Sequence, residues 1–407
     1  MASRKLSCFL PSLIVIVLSQ SFLLLGAPLE HLVSELPEQP SAEFKQYSGY
    51  ITVDEAKGTN FFYYFVEAEA NASSLPITLW LNGARENLAF VRKWFQLFPE
   101  YTSHQLFLTG ESYAGHYIPQ LAWLMMMCKE FNLNGILMGN PLLNYGMDTS
   151  ATYSFLWSHG VISDETFHGV SRWCDFRYGY MGGEVAIEYY EERREGKKGG
   201  CTSFLASARN EMGSYINIYD VTADVCPPPI LHQAILLQKL MGVAGGKEAT
   251  DVCIDHEITR YLNKPDVQKA LHANLTSLPY PWEACSRIVN YNATDQLADM
   301  IPLLARLAKN GLPVWIFSGD QDSVVPLTGT RTQIARLAQR LKLKPKGPYQ
   351  PWYARGQVGG WWEAYGNESL VYATVRGASH MVPYAQPERA LVLFSRFIHG
   401  KLLPSRP

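Results

Sequence analysis

The stretch Gln105-Leu-Phe-Leu-Thr-Gly-Glu-Ser-Tyr-Ala-Gly115 decides how this 407-residue chain is read. Gln105 to Thr109 is a short apolar run of strand length, and the helical pattern Tyr117 to Phe131 follows soon after. Between them lie Gly110, Glu111, Ser112, Tyr113, Ala114 and Gly115. A serine on a sharp strand-to-helix turn needs small residues two positions to either side, because the strained backbone brings them close. Gly110 and Ala114 meet that need. A serine that merely caps a helix would look the same, so the rest of the chain has to decide.

Outward from this point the rhythm is strand, helix, strand. Pro76 to Leu81, Asn134 to Gly139 and Val314 to Ser318 are further short apolar strands, with a helical pattern over Glu86 to Phe98. Such alternation predicts an α/β domain: a mostly parallel sheet with helices on both faces. Gln46 to Val53 and Asn60 to Val66 predict a preceding hairpin around the turn Asp54 to Thr59. Ser369 to Val375 and a helix over Gln386 to Ile398 close the domain. Between about residues 144 and 264 the rhythm is lost and four cysteines gather, which predicts a helical, disulfide-stapled insertion. Its charged run Glu191 to Lys198 reads as a solvated loop or a processing site.

Two later turns give Ser112 its context. Gly319-Asp320-Gln321-Asp322 follows the strand ending at Ser318, and Arg376-Gly377-Ala378-Ser379-His380 follows the strand ending at Val375. An acid and a histidine at strand ends, in the order Ser, Asp, His, is the arrangement of α/β-hydrolases. Asp322 is the better acid candidate than Asp320. His116, four residues past Ser112, is expected along the helix behind the turn. In the roles this order implies, His380 takes the Ser112 proton, Asp322 holds the imidazole, and the Tyr113 amide donates to the oxyanion. A second donor has to come from the loop after Leu81. No His or Cys pair has a metal-ligand spacing, and no cofactor is expected.

Composition narrows the partners. Lys plus Arg (35) nearly balance Asp plus Glu (37) without a basic run, which argues against nucleic acid. Arg4 and Lys5, the apolar stretch Phe9 to Leu25 and the small residues Gly26 and Ala27 read as a signal peptide over residues 1–27. The domain then spans 28–407, with no membrane contact after signal removal. Asn71, Asn274, Asn292 and Asn367 each begin a glycosylation acceptor. Secretion or delivery to a vacuole is expected, and nothing argues against a homodimer.

At these residues the chain resembles the serine carboxypeptidase family, strongly its plant type. The stretches that carry the resemblance include Gln46 to Tyr50, Trp80 to Gly83, Gly110 to Pro119, Tyr261 to Asp266, Gly319 to Pro326, Gly356 to Gly360 and Arg376 to Pro383. The resemblance implies an α/β-hydrolase that removes C-terminal residues from peptides and proteins. It implies that Asn82, Gly83 and Glu111 bind the substrate carboxylate, with a proton shared at Glu111 and hence work in acid. It also implies the disulfides Cys174 with Cys201 and Cys226 with Cys253.

One departure stands out. In the family the Trp-Leu-Asn-Gly strand end continues into a Gly-Gly-Pro-Gly-Cys-Ser-Ser loop and a further strand; here Asn82-Gly83 passes through Ala84 and Arg85 straight into the next helix. The segment would carry the second oxyanion donor, for which the Ala84 amide is the remaining candidate, and the cysteine partner of Cys285. Cys285 is therefore expected to be orphaned, and Cys128, in an apolar helical run, to be a reduced thiol. Impaired peptidase activity is expected; an acyltransferase on the same triad and an inactive binding protein are the alternatives. Glu111 favours the peptidase, since the acyltransferases tend to carry Asp there.

Overall fold

The computed structural model describes residues 27–81, 86–176, 200–226, 251–284, 286, 288 and 293–407. The expected signal peptide, the run Glu191 to Lys198, Asn82 to Arg85, Cys285 and Asn292 lie outside them.

Ten strands run in chain order: β1 Leu32–Val33, β2 Gln46–Asp54, β3 Thr59–Val66, β4 Ile77–Leu81, β5 Leu106–Glu111, β6 Leu133–Gly139, β7 Val314–Gly319, β8 Gln350–Ala354, β9 Gln357–Tyr365 and β10 Leu370–Val375. The first three form a small antiparallel sheet. The others form a seven-stranded sheet in the order β4-β5-β6-β7-β10-β9-β8. From β4 to β10 all neighbours are parallel, and β9 and β8 complete one edge as an antiparallel hairpin. This is the mostly parallel sheet the alternating pattern predicts.

Side-chain alternation along the central strands sorts the core into two layers. Leu108, Ile136, Ile316 and Tyr372 enter one, with helices α1 (Asn87–Leu97) and α2 (Ala114–Cys128) and the helices Ile301–Lys309 and Leu327–Arg340. Phe107, Leu137, Trp315, Phe317 and Val371 enter the other, with Leu393 and Phe397 of the helix Pro387–Ile398. Both β7 and β10 are buried at every position, as strands covered on both faces must be.

Three readings shift. The helix after Ser112 begins at Ala114 rather than Tyr117, because Gly115 N–H donates to Ser112 O and His116 N–H to Tyr113 O, closing the first turn on the serine itself. It stops at Cys128 instead of Phe131, where Lys129 turns left-handed at φ 57°. The β8–β9 hairpin was not anticipated. Its tight turn places Arg355 (φ 47°) and Gly356 (φ 72°) in consecutive left-handed conformations, for which Asn-Gly is the usual signature.

Four helices among the described residues form much of the insertion, α3 (Tyr145–Ser158), Asp164–Trp173, Gly200–Met212 and Ile254–Leu262, with non-helical chain over residues 213–226. Disulfides Cys174–Cys201 and Cys226–Cys253 staple it, each closing 27 residues of sequence. On the chain-entropy estimate each is worth roughly 3 kcal/mol. Cys128 corrects the expectation of a reduced thiol: it is disulfide-bonded, to a cysteine outside the described residues. At the helix end it is only half-buried, so the apolar run before it does not enclose it. No helix among the described residues is long and apolar enough to cross a membrane.

Candidate active site

Ser112 is a non-glycine residue at φ 60°, held there from both sides. Its N–H donates to Gly139 O (3.1 Å), and its carbonyl accepts from Leu142 N (2.9 Å) and Gly115 N (3.0 Å). The turn tolerates no larger neighbours. A methyl on Gly110 would lie 2.4 Å from Leu81 O and 2.8 Å from the Ala114 Cβ, and one on Gly115 would lie 2.4 Å from Leu142 O. The small residues flanking the serine are thus required by backbone contact. Such strain at a single polar residue is a mark of functional sites.

Asp322 lies in the turn beyond β7 and is fully buried. Its Oδ1 accepts from Val324 N (2.8 Å), and its Oδ2 accepts from Val325 N (3.3 Å) and lies 2.7 Å from His380 Nδ1. These bonds occupy both oxygens and fix which ring nitrogen faces the acid. The other, Nε2, is left for a partner elsewhere. Burial alone would lower the His380 pKa, but the bond and charge of Asp322, with the charge of Glu111, raise it above the ordinary histidine value. Asp320, the rejected acid candidate, instead accepts from Gly377 N in the histidine loop.

Because β5, β6, β7 and β10 are parallel neighbours, Ser112, Asp322 and His380 all leave the sheet at the same edge. Glu111, the last residue of β5, ties the serine turn to the pair electrostatically. Burial raises its pKa above the ordinary carboxylate range, the His380 charge pulls it down, and the Asp322 charge pushes it up again. A neutral carboxylic acid can donate a hydrogen bond to an anion, which a carboxylate cannot. Tyr113, whose amide is the expected oxyanion donor, occupies the N-cap of α2. Asn82, Gly83 and Ala84, the other expected binding and oxyanion residues, lie outside the described residues.

His116 is fully buried along α2, and its ring stacks on Tyr113 (4.8 Å between centroids). Burial lowers its pKa, which favours the neutral ring, and its place behind the turn is that of a packing group. Of the glycosylation acceptors, Asn71 and Asn367 are exposed in turns. Asn274 differs: its amide donates to Gln268 Oε1 (3.0 Å) and its carbonyl accepts from Leu278 N (2.8 Å).

Two features of the site carry no sequence motif. From the insertion, Tyr219 O accepts from His380 N (2.8 Å), Ile218 O from Ser323 N (3.1 Å), and Val221 N donates to Gln321 O (3.1 Å). A strap of ordinary backbone therefore holds the acid and histidine turns, with the Tyr219 ring 5.3 Å from the imidazole. The second is Asn140, at the end of β6, which bonds to both turns.

The family described as "Serine carboxypeptidase" matches the chain over residues 37–83 and 84–400, in two pieces that meet between Gly83 and Ala84. "Serine carboxypeptidase-like 42" of Arabidopsis thaliana is 40% identical over 483 aligned positions, covering 100% of this chain and 98% of the relative. "Serine carboxypeptidase-like 44" of the same plant is 39% identical and covers 94% of this chain and 92% of its own length. Among solved structures, the prohormone-processing carboxypeptidase Kex1(delta)p from Saccharomyces cerevisiae superposes with a TM-score of 0.67 at 16% identity, over 91% of this chain and 96% of that one. At that identity the superposition speaks for the fold, an α/β-hydrolase.

Proposed function

This chain belongs to the serine carboxypeptidase family, and from that premise we propose that it releases C-terminal residues from peptides through an acyl-enzyme. The observation that carries the reading is the buried Asp322–His380 pair on the same sheet edge as the strained Ser112. Ser112 Oγ attacks the scissile carbonyl while His380 Nε2 takes its proton. The imidazolium so formed is stabilised by Asp322 and then gives the proton to the leaving amine. The acyl group is afterwards removed by water through the same two groups. The Tyr113 amide, at the N-cap of the helix after the turn, donates to the tetrahedral oxyanion.

Glu111 supplies the distinction between an exopeptidase and an endopeptidase. With Asn82 and Gly83 it receives the substrate's terminal carboxylate, and its raised pKa keeps it protonated to a higher pH than a free glutamate. Binding therefore weakens as pH rises through that pKa. His380 works in the opposite sense, since it must be neutral to act as base. The two demands are reconciled because protonating Glu111 removes one of the charges that raise His380. Export through the secretory pathway, to the exterior or a vacuole, agrees with acid work and with disulfides.

Turnover is reduced in this chain. The family match breaks between Gly83 and Ala84, and the alignment to the Arabidopsis relative runs over 483 positions, more than the 407 residues here. β3 ends the small sheet and β4 ends the large one, and a cleft of about 880 Å³ is lined by both strands. These observations support the loss of a segment after Gly83, and with it the second oxyanion donor, commonly worth about 10²–10³ in rate. Incubation with a blocked dipeptide at acid pH, beside an acyl-glucose donor and an alcohol, tests the reading. Slow peptide cleavage lost on Ser112→Ala is expected; acyl transfer without cleavage would make the chain an acyltransferase.

A further inference from the structure

Asn140 lies outside every motif above, yet its side chain bonds to both the acid turn and the histidine turn. It directly follows β6 at φ 39° and is fully buried. Proline follows it, a neighbour that favours extended conformations in the preceding residue. Its own N–H donates to Phe317 O (2.8 Å) on β7. Its Oδ1 accepts from Gly319 N (2.8 Å), three residues before Asp322, and its Nδ2 donates to His380 O (2.5 Å) and Ser379 O (3.3 Å). The residue before it, Gly139, accepts from Ser112 N, and the one two places after it, Leu142, donates to Ser112 O.

We propose that Asn140 is the positioning residue that sets His380 against Ser112 and Asp322. This rests on the carboxypeptidase reading for its reaction but not for its geometry. Only an amide meets the demand of the place. Two carbonyls need donors and one amide N–H needs an acceptor, so aspartate lacks the donors and leucine lacks both. The pocket also leaves no slack. A Cβ on Gly319 would lie 2.1 Å from Ser379 O, so the two turns are already in contact and the Asn140 bonds decide how they register. A left-handed residue before proline is costly to hold, and the three side-chain bonds offset that cost. Asn140 is not a catalytic residue, because the groups it bonds are backbone atoms.

The test compares Asn140→Asp and Asn140→Leu with the unaltered full chain. The charged groups on the turns that meet at Asn140 are Glu111, Asp320, Asp322 and His380, with Arg376 exposed at the start of the histidine turn and Arg389 bonded to its carbonyl. Three of them are acids, so the carboxyl of N140D takes up a proton readily as pH falls. Protonated, its O–H donates to His380 O; ionised, it repels that carbonyl. Turnover of a blocked dipeptide from pH 4.5 to 7, thermal unfolding at each pH, and the downfield proton resonance of the His380–Asp322 bond are measured together.

For N140L, kcat is expected to fall about 10²-fold, the cost of a misplaced reacting group, with KM little changed. For N140D, the ratio of its kcat to that of the unaltered chain is expected to rise about tenfold per pH unit on acidification until the carboxyl is protonated. The downfield resonance should be lost or shifted in N140L and return in N140D at low pH. A pH-independent N140D ratio, or an N140L kcat within threefold of the unaltered chain, overturns the proposal. If N140L does not fold, the N140D ratio alone decides. If the unaltered chain cleaves no peptide, the functional reading fails, while the resonance and the rate at which a fluorophosphonate labels Ser112 still judge Asn140.

Discussion

The middle of the large sheet and its β4 border are built to different tolerances. At β7 and β10 every residue is buried, glycines sit where a methyl would strike backbone, and each loop beyond a strand is bonded to the next. At the border, Ile77 to Leu79 are half-buried and Trp80 is 43% exposed. Across the cleft, β3 exposes Phe62, Tyr64 and Val66 from alternate positions. The middle is fixed from four directions, whereas the border is a sheet edge beside another sheet edge. The three side chains of the proposed reaction leave the sheet from the first region, where their register is held.

The contrast can be broken most forcefully at Asp322. Asp322→Asn keeps the shape of the site but presents the imidazole in the wrong tautomer, and kcat is expected to fall by about 10⁴ with unfolding temperature nearly unchanged. A loss below tenfold would remove Asp322 from the triad.

Two glycines compare the regions directly. Gly319→Ala forces apart the acid and histidine turns and should cost about 10² in kcat together with a clear drop in unfolding temperature. Gly58→Ala in the β2–β3 turn meets nothing within 4 Å and bears only the strain of φ +64°, about 1 kcal/mol, with kcat unaltered. Equal effects at the two sites would erase the distinction drawn here.

Asp148 sharpens the comparison through pH. This fully buried carboxyl accepts from Leu143 N and Asn144 N at Oδ2 (3.0 Å each) and from Gln333 Nε2 at Oδ1 (2.5 Å), and burial raises its pKa to about 7. Its folded value is above the unfolded one, so its contribution is complete below about pH 4 and is lost as pH rises through 7. Gln333 Oε1 lacks a partner, so Asp148→Asn can turn that amide and keep every bond. The variant is expected to gain on the unaltered chain by on the order of 3 kcal/mol between pH 4 and pH 8 in denaturant titrations. A constant difference would place the proton elsewhere.

A smaller shift is expected from Glu111→Gln. Removing an anion that raises His380 should move the acid limb of kcat/KM to lower pH by less than about one unit, while KM loses its rise at higher pH. A limb that moves upward contradicts the coupling. The slightest effect belongs to the border, where Trp80→Lys should change stability by no more than about 0.5 kcal/mol and leave kcat alone. It should still reduce self-association in sedimentation, because a charged edge resists pairing with another chain.

How much of this was legible follows from where each signal resides. The strands β2 to β7 and β10 announce themselves as apolar runs, and Ser112, Asp322 and His380 through turns of small residues at strand ends. Asn140-Pro141 reads only as a turn, because the backbone groups it serves lie 179 to 240 positions later. The strap Ile218–Val221 acts through main-chain atoms, which no residue type encodes. The β8–β9 hairpin escaped for a local reason, an arginine where the turn favours asparagine. Cys128 looks buried because an apolar run precedes it, but it ends the helix half-buried and is disulfide-bonded.

The place of β10 has a consequence for synthesis. This last strand is not added at an edge but lies between β7 and β9, and the histidine follows it. A ribosome must therefore deliver some 375 residues before the sheet can close and the base can arrive. Contacts of such sequence separation form late. Until then Ser112, the nucleophile proposed above, has no proton acceptor, so the nascent chain carries it without the means to use it.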